Sequence, residues 1–208
     1  MSASVIECTQ LSEDLIKLRV CCDVAQPHRS GQYSVVSLPG VEGQAYFSIA
    51  SPAFEQPEMT FLIRLGQTAL DAGLKALEVG HRVEVKEPAG RFVPADDGDA
   101  LVFLGGGTGV APMLAMTREL VQNQESRSIR LVYGYRTPAE CAFDHELKNL
   151  ERAGVTVQRF IGTPIVLDHD MFDGDAVRGH ICGPKPMIAA LQEQAQELGL
   201  EPLRTEPY

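Results

Sequence analysis

The sequence lacks the features that would mark several functional classes. It contains no Gly-Lys-Ser or Gly-Lys-Thr, which excludes an NTPase-type phosphate loop. No uninterrupted apolar run approaches the roughly 20 residues needed to span a bilayer. The N-terminus has no signal-peptide pattern, so a cytoplasmic protein without membrane attachment is expected. Internal repeats and low-complexity tracts are absent. A basic excess is absent too: the net charge is −10 with the signs interspersed, which argues against a nucleic-acid partner. The five histidines (His28, His81, His145, His169 and His180) have no metal-ligand spacing, and no metal site is expected. The five cysteines (Cys8, Cys21, Cys22, Cys141 and Cys182) are odd in number and scattered. They fit a reducing compartment better than a disulfide framework, and they offer no four-cysteine iron–sulfur spacing.

What is present begins with residues 101–116, where an apolar run, Leu101–Leu104, breaks into Gly105, Gly106, Gly107 and Gly109 around Thr108 and then resumes at helical spacing. This reads as strand, phosphate loop and helix. The glycines permit positive φ and close backbone approach to a ligand, and Pro112 suits the first turn of a helix whose N-terminal dipole favours phosphate. Further apolar segments at Ile129–Tyr133, Val155–Phe160 and His180–Cys182 alternate with amphipathic stretches at Met113–Gln122, Ala139–Arg152 and Met187–Leu198. That β/α rhythm implies a parallel sheet covered by helices. Ligands in such sheets sit at the carboxyl ends of strands. Three of those ends carry special chemistry: the glycine loop, Gly134-Tyr135-Arg136-Thr137, and Cys182-Gly183-Pro184-Lys185-Pro186-Met187.

The first half reads differently. Short β-prone runs at Val5–Thr9, Leu15–Cys22, Tyr33–Ser37, Phe47–Ala50, Met59–Leu65 and Arg82–Lys86 are separated by turns such as Pro39-Gly40, which suggests a small antiparallel barrel. One helix is expected at Thr68–Leu77. The acidic segment Pro94–Asp99 marks a boundary, giving a barrel over residues 1–97 and a doubly wound α/β domain over residues 98–208.

The order of barrel, Gly-Gly-Gly-Thr-Gly-Val-Ala-Pro, Tyr-Gly-Tyr-Arg-Thr-Pro, Cys-Gly-Pro-Lys-Pro-Met and a final Glu-Pro-Tyr resembles the ferredoxin-NADP⁺ reductase superfamily, here as a compact member without an iron–sulfur module. The resemblance implies an FAD-binding barrel, an NAD(P)H-binding domain, and transfer of hydride from NAD(P)H to flavin, with electrons passed onward. It places the family's Arg-x-Tyr-Ser/Thr flavin motif at Ala45-Tyr46-Phe47-Ser48, followed by Ile49-Ala50-Ser51. The family arginine is absent there, and Arg64 and Lys86 are the substitute cations by position. Gly66 and Thr68 match the family's flavin-pyrophosphate turn, although Thr68 reads equally well as a helix N-cap. By the same resemblance Ser48 lies at flavin N5, Cys182 beside the nicotinamide, Glu206 nearby, and Tyr208 over the flavin.

The nucleotide would rest on Gly106, Gly107, Thr108, Gly109, Pro112, Tyr135, Arg136, Gly183, Pro184 and Met187. Arg136 can pair with a 2′-phosphate and no acid stands at that strand end, which leans toward NADPH; either nicotinamide nucleotide is expected. The acceptor class stays open among a ferredoxin, an oxygenase component, free flavin and a quinone. A second reading is a flavin-free NAD(P)-binding sensor or a subunit of a larger redox complex. Residues 162–179 look compressed for the family.

Overall fold

The computed structural model describes residues 1–172 and 176–207. The first part of the chain forms six antiparallel strands: β1 (Ser2–Ser12), β2 (Leu15–Cys22), β3 (Tyr33–Ser37), β4 (Gln44–Ser48), β5 (Glu58–Arg64) and β6 (Arg82–Val85). Their order in the sheet is β4-β3-β6-β1-β2-β5, and a bridge between Ile49 and Phe61 joins the two ends of the sheet. Inward positions follow the period-2 pattern expected of strands with one face on a core: Leu18, Val20, Val36, Ile63, Val83 and Val85 are buried together. The short helix α1 (Ala69–Lys75) packs Leu70 and Leu74 onto this core.

The second sheet is wholly parallel, in the order β11-β10-β7-β8-β9. Its strands are β7 (Ala100–Gly106), β8 (Ser128–Tyr135), β9 (Thr156–Ile161), β10 (Val177–Gly183) and β11 (Arg204–Pro207). Helices α2 (Val110–Gln122), α3 (Asp144–Arg152) and α4 (Lys185–Glu197) connect them. Central β7 is buried at every residue, as expected for a parallel strand covered on both faces. Helix α2 buries Val110–Thr117, and its Met113 and Leu114 share one core with Leu15 and Leu62 of the first sheet and Phe103 and Leu131 of the second. That shared core fixes the two sheets against each other and so defines the cleft between them.

Three expectations need correction. The helix read as Ala139–Arg152 is a 3₁₀ turn at Pro138–Glu140 and a separate helix at Asp144–Arg152, because Glu140 and Phe143 are both drawn inward. The strand read as Phe47–Ala50 runs from Gln44 to Ser48. Strand β11 has no apolar pattern and was not expected; it forms by pairing His180–Gly183 with Arg204–Pro207.

Candidate active site

The carboxyl ends of β7, β8 and β10 meet around a cavity of about 930 Å³. Gly106 and Gly107 form its floor, Tyr135 and Arg136 one wall, and Pro184 and Met187 another. Gly107 has φ of +55°, the left-handed region that glycine adopts at little cost. No side chain caps α2, so its positive dipole end is not neutralised by a protein carboxylate.

The neighbouring glycines also pack closely. A Cβ at Gly109 would stand 2.1 Å from the Cys182 carbonyl oxygen, one at Gly106 2.2 Å from Met187 Sδ, and one at Gly183 2.3 Å from Met187 Cε. Gly109 is therefore required where the β7–α2 turn meets the backbone of β10, whereas at Gly106 and Gly183 the flexible end of Met187 fills the space. Gly109 and Pro112 are buried and stand outside the cavity lining, as does Thr108.

Tyr135 packs against Tyr133 with ring centroids 4.6 Å apart, and burial pushes its hydroxyl up to about 12. Arg136 and Arg64 both line the cavity but are not free cations. Asp14, in the turn between β1 and β2, and Glu140 hold both of them. Burial pulls the Asp14 carboxyl upward, yet hydrogen bonds from Arg136, Ser12 and Arg64 bring it down to about 2. Glu140 is likewise lowered, its desolvation overcome by Arg64 and Arg136. Sequence reasoning missed both: Asp14 is remote from the arginines along the chain, and Glu140, four residues after Arg136, was passed over.

At the neighbouring strand end Cys182 lies in register with Gly105 on one side and Glu206 on the other. Cys182 is 1% exposed; burial, reinforced by Glu206, pushes its thiol up to about 12. It is a neutral thiol at physiological pH, unsuited to attack as a thiolate. Burial also raises the Glu206 carboxyl. Tyr208 lies outside the described residues.

The face of the first sheet beside β4 also differs from expectation. Ala45 and Phe47 pack on the barrel core, so Gln44, Tyr46 and Ser48 share the outer face. Tyr46 is 65% exposed and meets Tyr33 edge-on at 5.6 Å, while Ser48 is the register partner of Tyr33. Lys86 Nζ donates to Gln44 Oε1 at 2.8 Å. Thus Phe47 does not present the open aromatic face; Tyr46 does. The position on that face two residues before it is Gln44, backed by a lysine, and Ala45 points inward.

Ile49, Ala50 and Ser51 are interior. The Ile49 amide donates to the Gln32 carbonyl, the Ala50 amide to Thr60, and Ser51 Oγ accepts from the Thr60 amide at 3.1 Å. Thr68 is a working N-cap. Its Oγ1 accepts from the Asp71 amide, and its own amide donates to the Asp71 carboxylate at 2.9 Å, which also receives a backbone hydrogen bond from Gly66. The anion on this turn is thus supplied by the chain itself.

An antiparallel barrel joined to a parallel sheet with a glycine loop at its central strand defines a two-part architecture. The oxidoreductase NAD-binding domain family matches residues 103–160. The chain is 31% identical over 201 residues to the reductase component DmpP of phenol 2-monooxygenase from Pseudomonas sp. (strain CF600), covering 86% of this chain and 57% of that protein. It is 28% identical over 215 residues to the reductase subunit of an aromatic O-demethylase from Amycolatopsis sp. (strain ATCC 39116 / 75iv2), covering 91% and 63%. The chain therefore spans less than two thirds of the length of these relatives. Among solved structures it resembles the Amycolatopsis cytochrome P450 reductase GcoB, with TM-score 0.85 and 25% identity over 99% of this chain and 68% of that one. A ferredoxin NADP⁺ reductase from Neisseria gonorrhoeae with bound FAD and NADP shares the fold, with TM-score 0.82 and 17% identity over 100% and 98%. Residues 103–160 thus match the NAD-binding family, and the whole chain shares its fold with GcoB and with the ferredoxin NADP⁺ reductase.

Proposed function

We propose that this chain is an NAD(P)H-dependent flavin oxidoreductase that passes electrons to an oxygenase component. The carrying observation is the single cavity bounded by the Gly107 loop, the end of β8 and the Pro184–Met187 turn. It brings a glycine at positive φ, the start of α4 at Pro186 and Met187 and apolar walls to one place, as a dinucleotide requires. The relatives named as reductase components of oxygenases support the choice of acceptor. The change from antiparallel to parallel sheet between Val85 and Ala100 supports residues 1–97 as the flavin half and residues 98–208 as the nucleotide half. No helix of the described residues is long and apolar enough to cross a membrane. The five cysteines are free, which supports a cytoplasmic setting.

When bound, flavin supplies an acceptor for hydride and a means of releasing electrons onward. In this reading Tyr46 offers its exposed ring to the flavin, and Ser48 offers a hydroxyl on the same face. Gly106 and Gly107 receive the nucleotide pyrophosphate. Pro184 and Met187 wall the cavity against water. Cys182 and Glu206 stand at adjacent strand ends, a neutral thiol next to a carboxyl whose burial favours the protonated form. The outer-face pair Gln44 and Lys86 takes the place of the family arginine as the charged group toward a flavin phosphate. On the α1 turn, Gly66 and Thr68 already serve Asp71, so the flavin's hold there is weaker than the motif implies.

The purified chain, incubated with FAD and freed of excess by gel filtration, should retain the visible flavin band and oxidise NADH or NADPH with ferricyanide as acceptor. A colourless protein without such activity would overturn the reading in favour of a flavin-free nucleotide binder. The placement of the phosphate charge has its own check by FAD titration. Lys86→Ala should weaken binding about tenfold, and Gln44→Arg should tighten it by a similar factor, since a charge-assisted contact is worth more than a neutral one. Ala45→Arg should lower the melting temperature instead, because it drives a cation into the barrel core. An unchanged dissociation constant for Lys86→Ala would remove the lysine from the site.

A further inference from the structure

Among the described residues, the charged groups lining the nucleotide cavity are Arg64, Arg136, Asp14 and Glu140. They make two cations and two anions, and each is committed to the others. Arg136 Nη2 donates to both Asp14 oxygens at 3.0 Å and lies 2.8 Å from Glu140 Oε1. Arg64 reaches Asp14 at 2.7 Å and Glu140 at 3.0 Å. The Glu140 side chain is only 4% exposed, so stripping it of one arginine would leave a poorly solvated charge with half of its pairing. The quartet stands at the end of β8, the strand next to β7 whose end receives the nucleotide's ribose in sheets of this type.

We infer that Asp14 and Glu140 make this site select NADH over NADPH, by occupying the two arginines that would otherwise receive a 2′-phosphate. The inference rests on the reading of the cavity as a nicotinamide-nucleotide site. To enter, a phosphate dianion must take Arg136 from Asp14 or Glu140, leaving the two carboxylates to share Arg64 alone and to face a further anion. A free 2′-hydroxyl meets no such penalty and can donate to the same carboxylates. Asp14 belongs to the β1–β2 turn and Arg136 follows β8, so the choice of coenzyme is made by the first sheet reaching across to the second. Asp14 acts here as a specificity determinant through Arg136, with no part in hydride transfer.

The experiment is a calorimetric titration of the full chain with ADP-ribose and with ADP-ribose 2′-phosphate, which reads this end of the site without flavin or turnover. ADP-ribose should bind at least about tenfold more tightly. Asp14→Asn removes one anion and frees part of Arg136, and should bring the ratio toward unity, chiefly by tightening the 2′-phosphorylated ligand. Equal or tighter binding of the 2′-phosphorylated ligand by the native chain would overturn the inference while leaving the nucleotide site intact. Binding of neither would overturn the nucleotide-site reading and this inference with it. Should Asp14→Asn fail to fold, the native ratio alone decides.

Discussion

Gly107→Val should abolish nicotinamide-nucleotide binding, raising the dissociation constant for ADP-ribose by about a hundredfold or more, equivalent to about 3 kcal/mol. Two effects combine. Gly107 has φ of +55°, where a β-branched residue costs on the order of 1–3 kcal/mol. Gly107 also lines the cavity floor, so the valine methyl groups would occupy space that a pyrophosphate needs to approach the backbone. Gly107→Ala separates the two effects, because it carries much of the backbone strain with less bulk. Circular dichroism would establish that each variant is folded, and calorimetry would give the affinities. A folded valine variant that binds ADP-ribose like the native chain would remove this loop from the nucleotide site.

The second large effect is on stability and comes from His180. This residue sits on β10, 0% exposed, between the rings of Phe92 at 5.8 Å and Phe103 at 5.1 Å. Neither ring nitrogen completes a hydrogen bond, although backbone groups of Val93 and Arg178 lie near enough to favour the cation slightly. Burial, with a contribution from the charge of Arg204, lowers its pKa from 6.5 to about 4. The folded chain therefore keeps His180 neutral at pH values where the unfolded chain protonates it. Stability from this group is complete above about pH 6.5 and declines as the pH falls toward 4, a total loss of about 3 kcal/mol. Urea titrations of the native chain and of His180→Leu at pH 7 and pH 4.5 should differ: the native chain should lose more stability on acidification than the leucine variant. Equal losses would show that His180 is not kept neutral by the fold.

The elements whose signals are local were legible in the sequence. Strands β2 and β3 run over Leu15–Cys22 and Tyr33–Ser37, because alternation in the first and a short β-prone run in the second are enough to mark them. The β7–glycine–α2 unit was legible for the same reason: apolar run, glycines and helical spacing follow one another within sixteen residues. Adjacent aromatics defeated the reading of β4. With Tyr46 and Phe47 side by side, a shift of one residue exchanges the faces of the strand, and only the pairing of Val35 with Tyr46 and Ser34 with Phe47 settles which ring turns outward. Strand β11 was invisible because a four-residue segment at a sheet edge needs its neighbour β10 to define it.

The lean toward NADPH rested on residues adjacent in sequence. Arg136 does stand at the strand end, and no acid is adjacent to it in sequence, but Asp14 lies 122 residues away along the chain and touches it in space. Charge neutralisation at a site depends on distances of a few ångströms, which spacing along a chain does not encode across separate elements. In the same way, the sequence marked Cys182 as notable, while its burial, raised pKa and pairing with Glu206 arise only when β10 is placed between β7 and β11.

The sequence by itself determined that this protein joins an antiparallel barrel to a parallel sheet, and which strand ends carry glycine and proline turns, because backbone geometry and hydrophobic period are set by neighbouring residues. The tertiary structure decided which side chains on those ends are open and which are spent. It turned Tyr46 outward and Phe47 inward, used Gly106, Gly109 and Gly183 to let two turns pack closely, and bound Arg64 and Arg136 to Asp14 and Glu140. Those outcomes follow from close packing and from desolvated charge pairing, which act between residues remote in sequence and exist only once the sheets have met.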